Sequence, residues 1–204
     1  FKMSGGSIEH NAANGGQGGG ACLATAATVE ITGGSIVDNR ASTHGGGIDI
    51  GGTPDSVVIG SVDHAAAHPG NVGCPVIKDN QAVQEGGALC VHGNGTLTVY
   101  CCDISGNSVT NGNTGSALYQ DNGTVNIGTG EPQVGGGAVS NAGVRIDGNL
   151  YVASTSASLP GIINIFDGVA ITSGSSVTAN AALGGVVNDY RDKECVITFA
   201  IDEN

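Results

Sequence analysis

An apolar-x-apolar step recurs in eight stretches, and that recurrence is the tightest constraint on what this chain can fold into. The stretches read FKMSGGSIEHN from Phe1, VEITGGSIVDN from Val29, VVIGSVDH from Val57, LTVYCCDISGN from Leu97, VNIGTG from Val125, VRIDGN from Val144, VAITSGSSVTAN from Val169 and VITF from Val196. Their starts are spaced by 28, 28, 40, 28, 19, 25 and 27 residues. A chain that returns to one pattern at such intervals stacks one unit on the next rather than wrapping a single core. Where the pattern is clear, the apolar pair is followed by a short strand, an Asn, a Gly-rich corner and a second short strand such as Ile48–Ile50. The corners read GGQGGGAC, THGGGIDI, QEGGALCV, TGSALYQ, GGGAVS and LGGVVND. This predicts an all-β fold, a right-handed parallel β-helix of about seven coils, filling residues 1–204 as a single domain. Coils ~4.8 Å apart would make a rod ~34 Å tall.

Composition agrees. Glycine supplies 37 of 204 residues without a G-x-y period, which excludes collagen. Hydrophobic residues are 39%, enough to bury a core, so the chain is not of the disordered class. The net charge is −12, and the six cations build no basic stripe. Nucleic acid and anionic membrane surfaces, which need clustered cations, are therefore not expected as partners. No run of 18 apolar residues exists, so no membrane insertion is expected. The sequence opens at Phe1 in mid-repeat, which suggests a piece of a longer polypeptide.

Asn11, Asn39, Asn80, Asn107 and Asn180 each follow a β-branched residue by three positions. Asn tolerates the left-handed conformation and bonds its own turn, and stacked amides bond along a rod. These five are predicted to form a structural column rather than a row of ligand-binding amides. Six cysteines are present: Cys22, Cys74, Cys90, Cys101, Cys102 and Cys195. Cys74 and Cys101 each stand six residues before a column Asn, where Gly5, Gly33 and Gly174 stand elsewhere. One column on adjacent coils puts them within disulfide reach. Cys74–Cys101 is the predicted bridge, with Cys74–Cys102 competing and buried free thiols as the alternative. A disulfide implies an extracellular or cell-surface location.

The step of 40 residues from Val57 to Leu97 implies that about a dozen residues leave the rod, near Val62–Gly73. This projecting loop, VDHAAAHPGNVG, holds Asp63, His64 and His68, the candidate binding residues and a possible metal edge, set against a plain solvated loop. The step of 19 from Val125 to Val144 reads as a trimmed corner. Catalytic signals are sparse. GGQGGG lacks the Lys and Ser/Thr of a phosphate loop, and neither HExxH nor GxSxG occurs. Asp38 and Asp79, one residue before column Asn residues, are candidate paired carboxylates for glycoside hydrolysis, cation binding or mere hydration. No cofactor is expected beyond a weakly bound divalent cation such as calcium. NGT at Asn94 and Asn122 reads as turn chemistry before a strand rather than as glycosylation.

GGGI at Gly45–Ile48, GGAL at Gly86–Leu89 and GGAV at Gly136–Val139 alternate with SIEHN, SIVDN and VIKDN. This resembles the repeat of bacterial polymorphic outer-membrane and adhesin-like surface proteins, which alternate GGA-aliphatic with FxxN motifs. Ile or Val stands here where that family places Phe. The resemblance covers most of residues 1–140 and implies a parallel β-helix, secretion, and adhesion or surface display, with no catalytic residues carried over. The expected function is thus a non-catalytic, adhesin-like module. Its partners would be a cell-surface receptor, a glycan or neighbouring repeats, with end-to-end self-association as a further possibility. The alternatives are a carbohydrate-active enzyme fragment and a self-assembling extracellular filament subunit.

Overall fold

The apolar-x-apolar triplets form strands because alternation sends both apolar side chains to one face and the middle residue to the other. The computed structural model describes residues 1–24, 28–52, 54–61, 73–112, 114–128, 143–154, 157–166 and 168–191. Within them the chain is all-β, apart from one 3-10 turn at Ala181–Leu183. Strands gather into sheets of eleven, six and four, and the strand pairings are parallel. A parallel neighbour is always a strand from a different pass of the chain, so each sheet is a stack of successive passes.

The eleven-stranded sheet has two halves, both of which the strand Thr28–Val37 spans. Its first half pairs Val29 and Ile31 with Val57 and Ile59; its second pairs Ile36 with Ile77. Continued pairing builds one inward column of Met3, Ile31, Ile59, Val99, Ile127 and Ile165. It builds another of Ile8, Ile36, Ile77, Ile104, Ile146 and Ile171. The six-stranded sheet faces them with Ile48, Ile50, Leu89, Val91, Leu118, Leu150 and Val152, and all these groups meet in one apolar interior. A fully buried Ile or Leu contributes about 1.5–3 kcal/mol of transfer free energy. The glycine corners follow from crowding: a Cβ on Gly46 would stand 2.3 Å from the Gly87 carbonyl oxygen, and one on Gly87 2.4 Å from that of Ser116.

Register corrects the sequence reading in its second half. Val125 pairs with Ile163, not Val144, while Val144 pairs with Cys102 and Val169. Val144 and Val169 therefore belong to the second half of the long sheet, and the step of 19 is no trimmed corner. Each pass carries the same apolar step twice, so spacing alone misassigned which copy was met. Val196 lies outside the described residues. The same slip removes Asn180 from the predicted column. It follows the strand Val177–Ala179 of the six-stranded sheet, which pairs with Leu150–Val152, and so stands at a different corner.

The other four Asn residues form a ladder at the corner between the long sheet and the four-stranded one. Asn11 Nδ2 donates to Asn39 Oδ1 at 2.9 Å, Asn39 Nδ2 to Asn80 Oδ1 at 3.0 Å, and Asn80 Nδ2 to Asn107 Oδ1 at 3.0 Å. Each of these oxygens also accepts the backbone N–H of the preceding Asn. The left-handed residue is not the Asn but the one before it: His10, Asp38 and Asp79 have φ of 57, 50 and 55°, and Gly106 has 66°. Asp38 and Asp79 are thus corner residues, where Asp tolerates a positive φ.

Cys74 and Cys101 are disulfide-bonded, with Cα atoms 5.6 Å apart. Cys102 cannot compete, because alternation turns it into the apolar interior. Gly60 to Pro75 lie between the strands Ser56–Ile59 and Val76–Lys78, where the next pass has only Tyr100 and Cys101 between its own two strands. Asp63, His64 and His68 lie outside the described residues. Asn122 is buried and Asn94 exposed; a Cβ on Gly95 would meet the Pro54 carbonyl oxygen at 2.0 Å, which accounts for glycine after Asn94.

Candidate functional site

The middle residues of the six-stranded sheet point away from the interior. Pairing places Cys22, Asp49, Cys90, Tyr119, Tyr151 and Thr178 in one outward column. Unlike the inward columns, this one changes chemistry at nearly every pass. Two further positions join it from the strand ends. His92 and Asp121 each follow an inward or last strand residue on adjacent passes, and the isolated bridge His44–Glu85 lies just before the Gly corners.

These positions converge on one imidazole. His92 Nε2 lies 3.1 Å from Asp49 Oδ1, and its Nδ1 lies 3.1 Å from Asp121 Oδ2. Cys90 Sγ is 3.5 Å from His92 Nε2, and Cys22 Sγ is 4.0 Å from Asp49 Oδ2. The His44 ring meets that of His92 edge to face, with centroids 5.5 Å apart. His44 Nε2 lies 3.7 Å from Glu85 Oε2, and Gln17 Nε2 is 3.2 Å from His44 Nδ1. The Asp49 carboxylate is 1% exposed, an acid buried against its imidazole partner.

Hydrogen bonds that His92 donates to the Asp121 and Asp49 carboxylates, with a third contact to Cys90, raise its pKa to about 12, overcoming its partial burial. Burial is the largest single influence on Asp121 and pushes it upward, but the hydrogen bond and charge of His92, with hydrogen bonds from the Gly93 N–H and the Tyr119 hydroxyl, together outweigh it and hold the carboxyl below its usual range. Burial raises the Cys90 thiol to about 11, against the lowering influence of His92. The line Cys90–His92–Asp121 has the outline of a nucleophile, base and orienting acid, but burial keeps the thiol neutral, and the two carboxylates that favour a proton on His92 would equally favour a metal cation in its place. What the cluster offers instead is donor atoms. His44, Asp49 and His92 each present one, all within 4.8 Å of one another.

Sequence reading singles out none of His44, Asp49, His92 and Asp121, and names Cys22 and Cys90 only among the six cysteines. The signal was present in the corner alignment, where THGGGIDI set over QEGGALCV puts His44 over Glu85 and Asp49 over Cys90. His92 and Asp121 fall outside those strings, one residue past the strand. The structure brings neither Asp38 nor Asp79 to this face; Asp38 instead lies 3.5 Å from His10 on the ladder corner. No family model matches the chain, and no curated protein or solved structure shows significant similarity to it.

Proposed function

We propose that the chain is a right-handed parallel β-helix of about seven coils, serving as a non-catalytic, adhesin-like module of a secreted or cell-surface protein. It presents a rigid face and the insertion at residues 62–73 to a cell-surface receptor or glycan. The observation that carries this reading is how the insertion is rooted. It leaves after the strand Ser56–Ile59, and its return at Cys74 is covalently tied to Cys101 on the next pass. A segment displayed from a stacked, disulfide-locked base loses little of its binding energy to ordering that base. The disulfide also favours an oxidising, extracellular setting. The resemblance of GGGI, GGAL and the SIVDN-type strings to adhesin-like surface repeats points the same way.

Deleting residues 63–70 while keeping Cys74 and Cys101 tests it. Attachment of the purified chain to host cells or a glycan array is expected to fall at least tenfold, with the disulfide still formed. Unchanged attachment would reject the insertion as the contact.

A further inference from the structure

We propose that His44, Asp49 and His92 form a binding site for a divalent transition-metal ion, with Zn²⁺ the best match to the donors. The inference is independent of what the insertion binds. Three observations carry it. First, two imidazoles and a buried carboxylate bring their donor atoms within 4.8 Å of one another, with His92 Nε2 and Asp49 Oδ1 already 3.1 Å apart. Ligand atoms around a tetrahedral Zn²⁺ with bonds of about 2.0–2.1 Å stand roughly 3.3–3.5 Å apart, so modest side-chain adjustment closes the set. Second, the Asp121 carboxylate lies 3.1 Å from His92 Nδ1. A carboxylate behind the ring that fixes Nε2 toward the centre is the usual outer support of a metal-binding histidine. Third, the flanking groups suit the same ion: Cys90 Sγ is 3.5 Å from His92 Nε2, and Glu85 Oε2 is 3.7 Å from His44 Nε2.

The mixture of nitrogen, oxygen and nearby sulfur separates this site from a calcium site, which takes oxygen donors almost alone. Placement on the sheet supports the geometry. Asp49 sits mid-strand, directly beside Cys90 on the next pass, while His44 is held by its bridge to Glu85. The donors thus come from backbone already fixed by strand pairing, the kind of support a precise metal site requires.

Isothermal titration of the disulfide-intact chain with Zn²⁺ tests the proposal, on a Cys22→Ser background so that the exposed thiol contributes nothing. The expected result is one equivalent bound, with His44→Ala and His92→Gln each weakening affinity about tenfold or more. Co²⁺ loaded in place of Zn²⁺ is expected to show the visible absorption of a tetrahedral site. His44 is partly exposed, so His44→Ala is expected to keep the wild-type circular dichroism and serves as the variant free of folding effects. No Zn²⁺ binding by the folded parent, or binding unchanged in His44→Ala, would overturn the assignment. So would Ca²⁺ binding as tight as Zn²⁺.

Discussion

The Asn corner and the outer face of the six-stranded sheet are built by the same stacking and teach opposite lessons. At the corner, Asn11, Asn39, Asn80 and Asn107 place the same side chain on four passes and join them by three equivalent amide bonds. On the outer face, equivalent positions read Cys22, Asp49, Cys90, Tyr119, Tyr151 and Thr178. A side chain that satisfies its neighbour above and below is repeated because the stack requires it. A position that the stack leaves free to vary is where chemistry specific to this chain collects. In a repeating fold, the departure from the pattern marks the site and the pattern marks the scaffold.

The sharpest way to break that contrast is to cut the ladder at its centre. Asn80 is fully buried; its amide donates to the Ile36 carbonyl at 2.9 Å and to Asn107, and its oxygen accepts from the backbone and side chain of Asn39. Asn80→Ala leaves several of these groups buried without partners, at about 1–3 kcal/mol each. A loss of about 4 kcal/mol in urea unfolding is expected. A loss below about 1 kcal/mol would mean that the amides decorate the corner rather than hold it.

Next comes the covalent tie. Cys74–Cys101 closes a sequence separation of 27 residues at the root of the insertion. Replacing both with Ala is expected to cost about 3 kcal/mol, chiefly by freeing the unfolded chain. Non-reducing urea titration of the double variant measures it. An unchanged midpoint would show that strand pairing already fixes this junction.

The outer column should be far more forgiving away from the cluster. Tyr151 stacks on Tyr119 with ring centroids 5.9 Å apart and planes 9° from parallel. Tyr151→Thr keeps a strand-forming residue and loses the stacking, for an expected cost of about 1 kcal/mol. A cost approaching that of Asn80→Ala would erase the distinction between scaffold and face.

Much of the fold was legible because a parallel stack writes itself twice, once as an apolar period and once as a corner. The strands around Val29, Val57 and Leu97 and the cysteine column at Cys74 and Cys101 were visible because every pass there keeps both signals. After Val125 one signal fades. Only Asp147, Gly148 and Asn149 separate Val144–Ile146 from Leu150–Val152, where earlier passes hold a two-residue strand and a Gly corner, and Val144 offered the same apolar step as Ile163, the true partner of Val125, nearer in sequence. A second amide ladder, Asn126–Asn164–Asn188, went unread for that reason: its members belong to passes whose register was misassigned. The cluster around His92 was illegible for a different cause. Its parts lie in different passes and at different strand positions, so no spacing within one repeat relates them. Only the pairing of Asp49 with Cys90, and the ends of the strands beside them, brings them together.

The smallest effect belongs to the place where the inward column itself departs from pattern. Asp189 takes the position next to Ile165 that apolar side chains fill on earlier passes, and Arg191 binds its carboxylate through Nε at 2.9 Å. The Arg191 hydrogen bond, opposed by burial, lowers the Asp189 pKa. A group whose folded-state pKa is depressed contributes stability that is present above its unfolded value, near 3.9, and lost as pH falls through the folded value. The pair is partly exposed, so solvent screens most of it and the effect should stay local. Amide hydrogen exchange across Val186–Tyr190 is therefore expected to lose protection below about pH 4, after correction for intrinsic rates, while the Asn80 corner keeps its own. Equal loss at both places would mean that acid melts the stack as a unit, and that Asp189 ends the column without guarding it.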